Sequence, residues 1–186
     1  MSSTGVPGQE SRGVDGDLDR GGLDALFRDC AGDVHAYALS LLGDRAGAED
    51  VTALAFERLY RARSRIDHAR GTPRALLFTI ARNAALDELR RRKRRESGEL
   101  DDARRADLRA GEAFEAVERR DIVRGALEAL PQRDREIVLF KFHGQLSNGE
   151  LARAMGISES NVGTRLHRAL TRLRELCRDG ERRDVA

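Results

Sequence analysis

Apolar residues recur every three or four positions along most of this 186-residue chain, and no stretch sustains the two-residue alternation of a strand. One run covers residues 23–42 and ends at Gly43, and a second covers residues 48–63. A third follows Thr72 and Pro73, a typical helix cap and first helical position. The pattern therefore predicts helices and an all-α fold.

Each run has apolar positions that the predicted helix should bury. In the first helix they are Leu23, Leu26, Phe27, Val34, Tyr37, Ala38, Leu41 and Leu42. In the second helix they are Val51, Ala55, Phe56 and Leu59. Since these side chains repeat on one helix face, we expect the helices to pack together around them.

The second half of the chain alternates short apolar runs with turns. Helices are predicted over residues 121–130 and 132–142. Ser147 and Glu150 then form the Ser-x-x-Glu pattern of a capping box. Gly156 separates the short helix that they open from a longer helix capped by Ser158. Two helices joined by a glycine turn predict a helix-turn-helix.

The longer helix of this pair has unlike faces. Its apolar positions are Val162, Leu166, Ala169, Leu170, Leu173 and Leu176. The candidate DNA contacts on its start and its polar side are Ser160, Asn161, Thr164, Arg165, Arg168 and Arg172. Amide, hydroxyl and guanidinium groups contact base edges and phosphates in the major groove. A solvated helix face is the alternative interpretation.

The formal net charge is only +2, but the charges are segregated along the chain. Residues 74–95 hold eight Arg or Lys against two acids and end in six successive cations, Arg90 to Arg95. Residues 99–118 hold seven acids against three arginines. Six successive cations exceed what a helix C-terminus requires, which favours contact with a polyanion.

Composition excludes several kinds of site. Cys30 and Cys177 form no disulfide framework, and the four histidines are too scattered to suggest a metal site. No stretch approaches a membrane span, and the Gly-, Ser- and Asp-rich N-terminus lacks the apolar core of a secretory signal. We therefore expect a cytoplasmic protein with no cofactor, no metal and no enzymatic activity.

Three segments together resemble the bacterial RNA polymerase sigma factors of the extracytoplasmic-function type. They are AGAEDVTALAFERLY, RALLFTIARNAALDELRRRKRR and ALEALPQRDREIVLFKFHGQLSNGELARAMGISESNVGTRLHRALTRLRE. The first two are similar to region 2 of that family, and the third is similar to region 4. A helix-turn-helix alone is weak evidence, but its combination with the IARNAALDELRRR segment upstream is much more specific.

The resemblance implies two small helical domains joined by a flexible acidic linker. Together with composition, which predicts too few apolar side chains for order at the N-terminus and a polar, acidic linker, it divides the chain into a disordered tail (1–21), a region 2-like domain (22–95), a linker (96–119), a region 4-like domain (120–178) and a tail (179–186). It further implies binding to the clamp of core RNA polymerase, recognition of promoter DNA, and an anti-sigma factor as a further partner.

The resemblance also assigns residues by position. In region 4, the helix-turn-helix residues above would read the −35 element. In region 2, the residues that would recognise and melt the −10 element are Arg74, Arg82, Asn83, Arg90 and Arg91, and Asn83 would hold a flipped base. The residues that would bind the polymerase are Glu49, Asp50, Phe56 and Leu59.

The chain departs from the family pattern at several positions. Leu76 stands where a Trp is common, Ala53 and Leu54 replace a Gln-Glu pair, and Gly163 stands where a basic residue is frequent. Two other functions stay open at this point. One is a helix-turn-helix regulator that acts without polymerase, and the other is an adaptor that makes only protein contacts.

Overall fold

The computed structural model describes residues 20–66, 71–96 and 114–184 of the chain. All regular secondary structure in these ranges is helical, which confirms the all-α prediction. The helices are α1 Arg20–Leu42, α2 Arg45–Ala62, α3 Pro73–Glu96, α4 Phe114–Glu128, α5 Gln132–Phe142, α6 Asn148–Met155 and α7 Glu159–Asp184. Most of the predicted N-terminal tail and most of the predicted linker lie outside the described residues.

Local capping groups set the helix boundaries in the first half. Gly43 ends α1 in the left-handed conformation, with φ of 71°. The Asp44 carboxylate accepts a hydrogen bond from the Gly47 N–H at 2.7 Å, so α2 begins at Arg45, three residues earlier than predicted. Thr72 caps α3 as predicted, since its hydroxyl accepts from the Ala75 N–H at 3.2 Å.

Helices α1, α2 and α3 pack against one another as one three-helix unit. The buried face of α1 follows a regular helical spacing and consists of Leu26, Cys30, Val34, Tyr37, Ala38, Leu41 and Leu42. The prediction was wrong for Phe27, which is 53% exposed. Its position follows Leu26 directly, and one residue turns a helix by about 100°, away from the buried stripe.

Helices α4, α5 and α6 all pack against α7, which is the central helix of the second unit. Both ends of this unit extend beyond the predicted domain, because α4 begins at Phe114 and α7 continues to Asp184. The last turns of α7 lie against α4: a Cβ atom at Gly180 would come within 2.9 Å of Ile122 Cγ2. This packing accounts for helix where the sequence predicted a tail.

The two units are not separate in this structure. Helices α5 and α6 contact α1 and α3, and buried residues of both units belong to one hydrophobic cluster. At the junction the chain turns sharply after α5, where a Cβ atom at Gly144 would lie 2.5 Å from the Phe140 carbonyl oxygen. Glycine is required there because no side chain fits. The sequence predicted two loosely linked domains, and the structure joins them through a common core.

Candidate nucleic-acid and polymerase interfaces

The helix-turn-helix has the predicted local geometry. The Glu150 N–H donates to the Ser147 hydroxyl at 3.2 Å, and the Ser147 N–H donates to the Glu150 carboxylate at 2.9 Å, which completes the capping box. Gly156 makes the turn with φ of 66°, and the Ser158 hydroxyl accepts from the Asn161 N–H at 3.3 Å. Both helix starts are therefore fixed by residues that the sequence identified.

Glu150 is held in its charged form. Burial alone would raise the pKa of Glu150, but hydrogen bonds from Thr72 and from the backbone and hydroxyl of Ser147 outweigh burial. The pKa of this carboxyl group is therefore lowered below its ordinary value, so the capping box keeps its anionic acceptor to a lower pH than an ordinary glutamate would.

The polar side of α7 lines an open groove together with the start of α5. The groove residues are Pro131, Gln132, Arg133, Asp134, Asn161, Thr164, Arg165 and Arg168. Arg165 is positioned from two sides: its Nε donates to Asn161 Oδ1 at 3.2 Å, and its guanidinium lies 4.0 Å from the Asp134 carboxylate. Ser160, Asn161, Thr164, Arg168 and Arg172 are exposed. The structure thus brings the candidate −35 residues together on one accessible surface.

Sequence reasoning did not select Gln132 and Arg133 as site residues. Both are exposed at the N-terminus of α5 and lie across the groove from Arg168. Their position directly after Pro131, at the start of a helix, is the signal that could have identified them, because helix N-termini attract phosphate groups. At Gly163, a Cβ atom would meet open space, so the glycine is not required by packing.

On α3 the structure divides the predicted −10 residues into two groups. Asn83, Arg90 and Arg91 are exposed. Arg90 pairs with Asp87 at 3.0 Å and Arg91 pairs with Glu88 at 3.2 Å, both within the helix. Positions three, four and seven apart share a helix face, so Asn83, Arg90 and the exposed Arg94 form one outward surface.

The other two predicted −10 residues lie at the junction of the two units. Arg82 donates from Nη2 and Nε to the Glu136 carboxylate at 2.7 and 3.0 Å. Arg74 contacts the Asp33 carboxylate at 2.5 Å and donates to the carbonyl oxygens of His143 and Gly144. In this arrangement both guanidinium groups bind protein acceptors, and the two side chains are only partly exposed.

Arg92, inside the cationic run, has a structural role. Its guanidinium bonds to the carboxylates of Asp44 and Glu88 at 2.5 and 3.1 Å and to the Leu42 carbonyl oxygen. Burial would lower the pKa of Arg92, but its hydrogen bonds to the two carboxylates raise that pKa. Arg92 therefore ties the end of α3 to the turn between α1 and α2. Not all of the six cations are available to a polyanion.

The predicted polymerase surface needs one correction. Glu49 and Asp50 are exposed on α2 and Phe56 is half-buried, but Leu59 is fully buried. Leu59 continues the Val51 and Ala55 stripe that faces the other helices of the unit, so it cannot contact a partner.

Two exposed aromatic residues border this surface and were not predicted to be part of it. Phe27 of α1 packs edge-on against Phe56, with ring centroids 4.8 Å apart. Tyr60, one turn beyond Phe56, is also exposed. Large apolar side chains at the surface often mark an interaction site. Phe27 was not predicted as a surface residue because its place in an apolar run suggested burial.

Two arginine-bearing helices, one of them in a helix-turn-helix, are typical of a class of helical DNA-binding proteins. Comparison with known proteins identifies the family. Residues 26–95 match the family model for Sigma-70 region 2, and residues 120–173 match the model for Sigma-70, region 4.

Whole-length relatives agree with these matches. The chain is 32% identical to the ECF RNA polymerase sigma factor SigL of Mycobacterium tuberculosis over 151 residues, 81% of this chain and 85% of the relative. It is 30% identical to the ECF RNA polymerase sigma factor SigM of Bacillus subtilis over 85% of this chain and 96% of the relative. The chain belongs to the extracytoplasmic-function sigma factors and functions as an RNA polymerase sigma factor.

Solved structures show the same fold. The sigma factor RpoE of Bartonella quintana, in complex with the anti-sigma factor NepR, matches with a TM-score of 0.65 and 21% identity, over 83% of this chain and 96% of that chain. CnrH, in complex with the cytosolic domain of CnrY, matches with a TM-score of 0.64 and 21% identity, over 88% and 91% of the two chains. The family assignment does not favour the regulator or adaptor alternatives.

Two further findings concern the described ranges alone. None of the helices there combines the length and the apolar character needed to cross a membrane. Among the same residues, no three His, Cys, Asp or Glu side chains are grouped so that they could hold a metal ion.

Proposed function

We propose that this sigma factor reads the −35 element with α7 and engages and opens the −10 element with α3. The observation that carries the proposal is the exposed groove in which Asn161, Thr164, Arg165 and Arg168 face outward together. Amide and guanidinium groups at the start of a recognition helix are suited to reading base edges in the major groove.

Within the groove, the contacts divide by chemistry. Arg165 is oriented by Asn161 and Asp134, and an oriented guanidinium can grip the O6 and N7 atoms of a guanine. Arg168 and Arg172 bind phosphates, as do the unpredicted Gln132 and Arg133 on the opposite side of the groove. Gly163 contributes no contact, so −35 recognition depends on its neighbours.

At the −10 element, Asn83 offers both donors and acceptors to a flipped base, and Arg90, Arg91 and Arg94 bind the backbone beside it. Strand opening requires no chemistry from the protein. Bases captured from the opened duplex offset the unstacking cost, a few kcal/mol per base by analogy with base-flipping proteins. The chain is therefore a non-enzymatic initiation factor without cofactor or metal.

The exposed face of α2 binds the clamp of core RNA polymerase. Glu49 and Asp50 supply negative charge, and Phe56 with Phe27 supplies an apolar contact at its edge. Because Ala53 and Leu54 replace a polar pair common in the family, the apolar share of this interface is larger in this chain. The protein works in the cytoplasm, where its polymerase is.

An anti-sigma factor is a further proposed partner. One solved structure with this fold contains the sigma factor RpoE bound to the anti-sigma factor NepR, and another contains CnrH bound to the cytosolic domain of CnrY. We extend this kind of regulation to the present chain, whose two helical units offer separate surfaces to an inhibitor.

The experiment that tests the proposal is co-purification with core RNA polymerase followed by run-off transcription on a genomic promoter library. We expect a stable complex and transcripts from a discrete set of promoters that share two sequence elements. Tight duplex binding without polymerase would support a classical regulator instead. Neither polymerase binding nor duplex binding would indicate an adaptor.

A charge-matched pair of variants tests the polymerase surface. Asp50→Lys should weaken the polymerase complex, because it reverses charge on the exposed face of α2. Glu128→Lys makes the same change in charge on an exposed position of α4 and should leave the complex intact. If both variants bound core polymerase equally well, the exposed face of α2 would not be part of the interface.

A further inference from the structure

Asp134 places a negative charge in a groove that is otherwise lined by cations and uncharged residues. Among the described residues that line the groove, Arg133, Arg165 and Arg168 are cations and Asp134 is the one acid. DNA presents a row of phosphates, so a carboxylate on a DNA-binding surface opposes binding. An acid at this position therefore weakens the general attraction of the groove for DNA, and another physical reason is needed for its presence.

The start of α5 supplies only a local reason for the carboxylate. Asp134 lies in the first turn of α5, where negative charge interacts favourably with the helix dipole. Glu159 holds the equivalent place in the first turn of α7, but its carboxylate lies beside α6, where a Cβ atom at Gly149 would come within 3.8 Å of Glu159 Oε2. Asp134 differs from Glu159 in lying beside the guanidinium group of Arg165.

The Arg165 guanidinium lies between two acceptors that come from different helices. Its Nε donates to Asn161 Oδ1 at 3.2 Å, one turn earlier on α7. Its Nη1 lies 4.0 Å from Asp134 Oδ1 on α5, which is an attraction between opposite charges and too long for a hydrogen bond. One acceptor would leave the guanidinium free to turn about that contact, whereas two acceptors at separate nitrogens fix its plane.

These two contacts decide which donors stay available to DNA. A guanidinium carries five N–H donors on three nitrogens. Since Asn161 engages Nε, a bidentate grip on guanine O6 and N7 requires Nη1 and Nη2 of Arg165. Nη1 has two hydrogens, so it can face Asp134 with one and a base with the other. The Asn161 amide accepts with its oxygen and keeps its NH₂ group as a donor for the groove.

The helices that carry these groups form a rigid frame. Helices α5 and α7 pack together, and Ile137, Val162 and Ala169 are buried within their shared core. The side chains of Asp134 and Arg165 are 30% and 32% exposed, so the pair is partly shielded from water while it remains open to the groove. Precise recognition requires a contact group that is oriented by a neighbour on a rigid element.

We propose that Asp134 is a positioning residue for −35 recognition: it fixes Arg165 in the orientation that reads a base, and it lowers the affinity of the groove for DNA of any other sequence. This inference rests on the proposed function, in which Arg165 reads a guanine. A freely moving arginine can bind a phosphate or several acceptors, and it then adds affinity without discrimination. An arginine held in one orientation loses those alternatives.

Three variants at one position test this role in the complex of the full chain with core RNA polymerase. Asp134→Asn and Asp134→Ser remove the charge and keep a short polar side chain. Asp134→Glu keeps the charge on a side chain long enough to close the 4.0 Å gap to Arg165. Glu159→Gln is the matched control, because it removes one negative charge from the first turn of α7. Urea unfolding of each variant separates changes in stability from changes in recognition.

The readout is competition between a promoter duplex and duplexes substituted at each −35 position, which measures affinity and discrimination separately. Both uncharged variants should bind the substituted duplexes more tightly than the unmodified chain does. At the base pair read by Arg165 they should lose discrimination about two- to fivefold, the range for a partly exposed ion pair. Asp134→Glu should retain discrimination, and Glu159→Gln should leave it unchanged. In a chain carrying Arg165→Ala, Asp134→Asn should cause no further loss, since both changes act through one contact.

Unchanged discrimination in both uncharged variants would overturn the proposal. An equal loss at every −35 position would also overturn it, because that result is expected if Asp134 only stabilises the start of α5. So would a loss of the same size in Glu159→Gln, which would indicate a general effect of charge. Failure of the proposed function has a different signature, since Arg165→Ala would then weaken binding to all of the duplexes alike and would remove the basis of both proposals.

Discussion

Helices α3 and α7 are both long and rich in arginine, but the two helices use their cations differently. On α7, Arg168 and Arg172 are exposed and Arg165 is oriented toward an open groove. On α3, Arg74, Arg82 and Arg92 are bound to carboxylates and carbonyl groups of other elements. The comparison shows that an arginine-rich helix can be a DNA surface along one stretch and a structural joint along another.

The largest expected effect is on stability, and it distinguishes a buried ion pair on α3 from an exposed one. Arg82→Ala should lower the free energy of unfolding by about 3 kcal/mol, because it leaves the buried Glu136 charge without a partner. Arg90→Ala removes an exposed pair, 69% exposed at the arginine, and should cost less than about 1 kcal/mol. Urea unfolding of both variants measures the difference. Equal effects would mean that Arg82 is as loosely held as Arg90.

The next effect tests α7 as the reading surface. Arg165→Ala should weaken discrimination at one −35 position by about 1–3 kcal/mol, the range for a bidentate base contact. Competition binding of the polymerase complex to promoters substituted at each −35 position measures this. Uniform loss across all of the sequences would instead identify Arg165 as a phosphate contact. Arg172→Ala is the comparison, since a phosphate contact should show that uniform loss.

A third prediction distinguishes structural cations from DNA-binding cations within residues 90–95. Arg92→Ala should lower the free energy of unfolding by about 1.5 kcal/mol, since two carboxylates lose a charged hydrogen-bond donor. It should leave the salt dependence of DNA binding unchanged. Arg91→Ala should instead have little effect on the free energy of unfolding. It should reduce the slope of the log–log salt dependence of DNA binding by ~0.9, the value for one duplex phosphate contact. If both variants changed the salt slope equally, Arg92 would be a DNA contact like Arg91.

The smallest expected effect concerns the recognition helix itself. Gly163→Ala should stabilise the chain by up to ~1 kcal/mol, because alanine favours helix and its Cβ atom meets open space. Thermal unfolding measures the gain. A loss of stability would show that the glycine is needed for a contact that appears only with DNA or polymerase. The same substitution at Gly144 should be destabilising, since its Cβ atom would collide with the Phe140 carbonyl group.

The sequence predicted most of the local structure. The Thr72-Pro73 start of α3, the capping box of Ser147 and Glu150, and the turn at Gly156 all occur as expected. Each of these features depends on residues within a few positions of one another. The errors lie where a second element decides: Phe27 is exposed, Leu59 is buried, and α7 extends along α4. Helical periodicity marks an apolar residue but does not show which neighbour will cover it.

The sequence by itself determined the order of the helices, the helix-turn-helix and the family, because helices depend on local spacing and the family on a combination of motifs that each lie within one segment. Only the tertiary structure decided which arginines face outward and which hold the two units together. An arginine side chain is compatible with a phosphate, a carboxylate or a carbonyl group as its partner. The partner is therefore chosen by what folding brings within reach, as Glu136 is brought to Arg82 from 54 positions away.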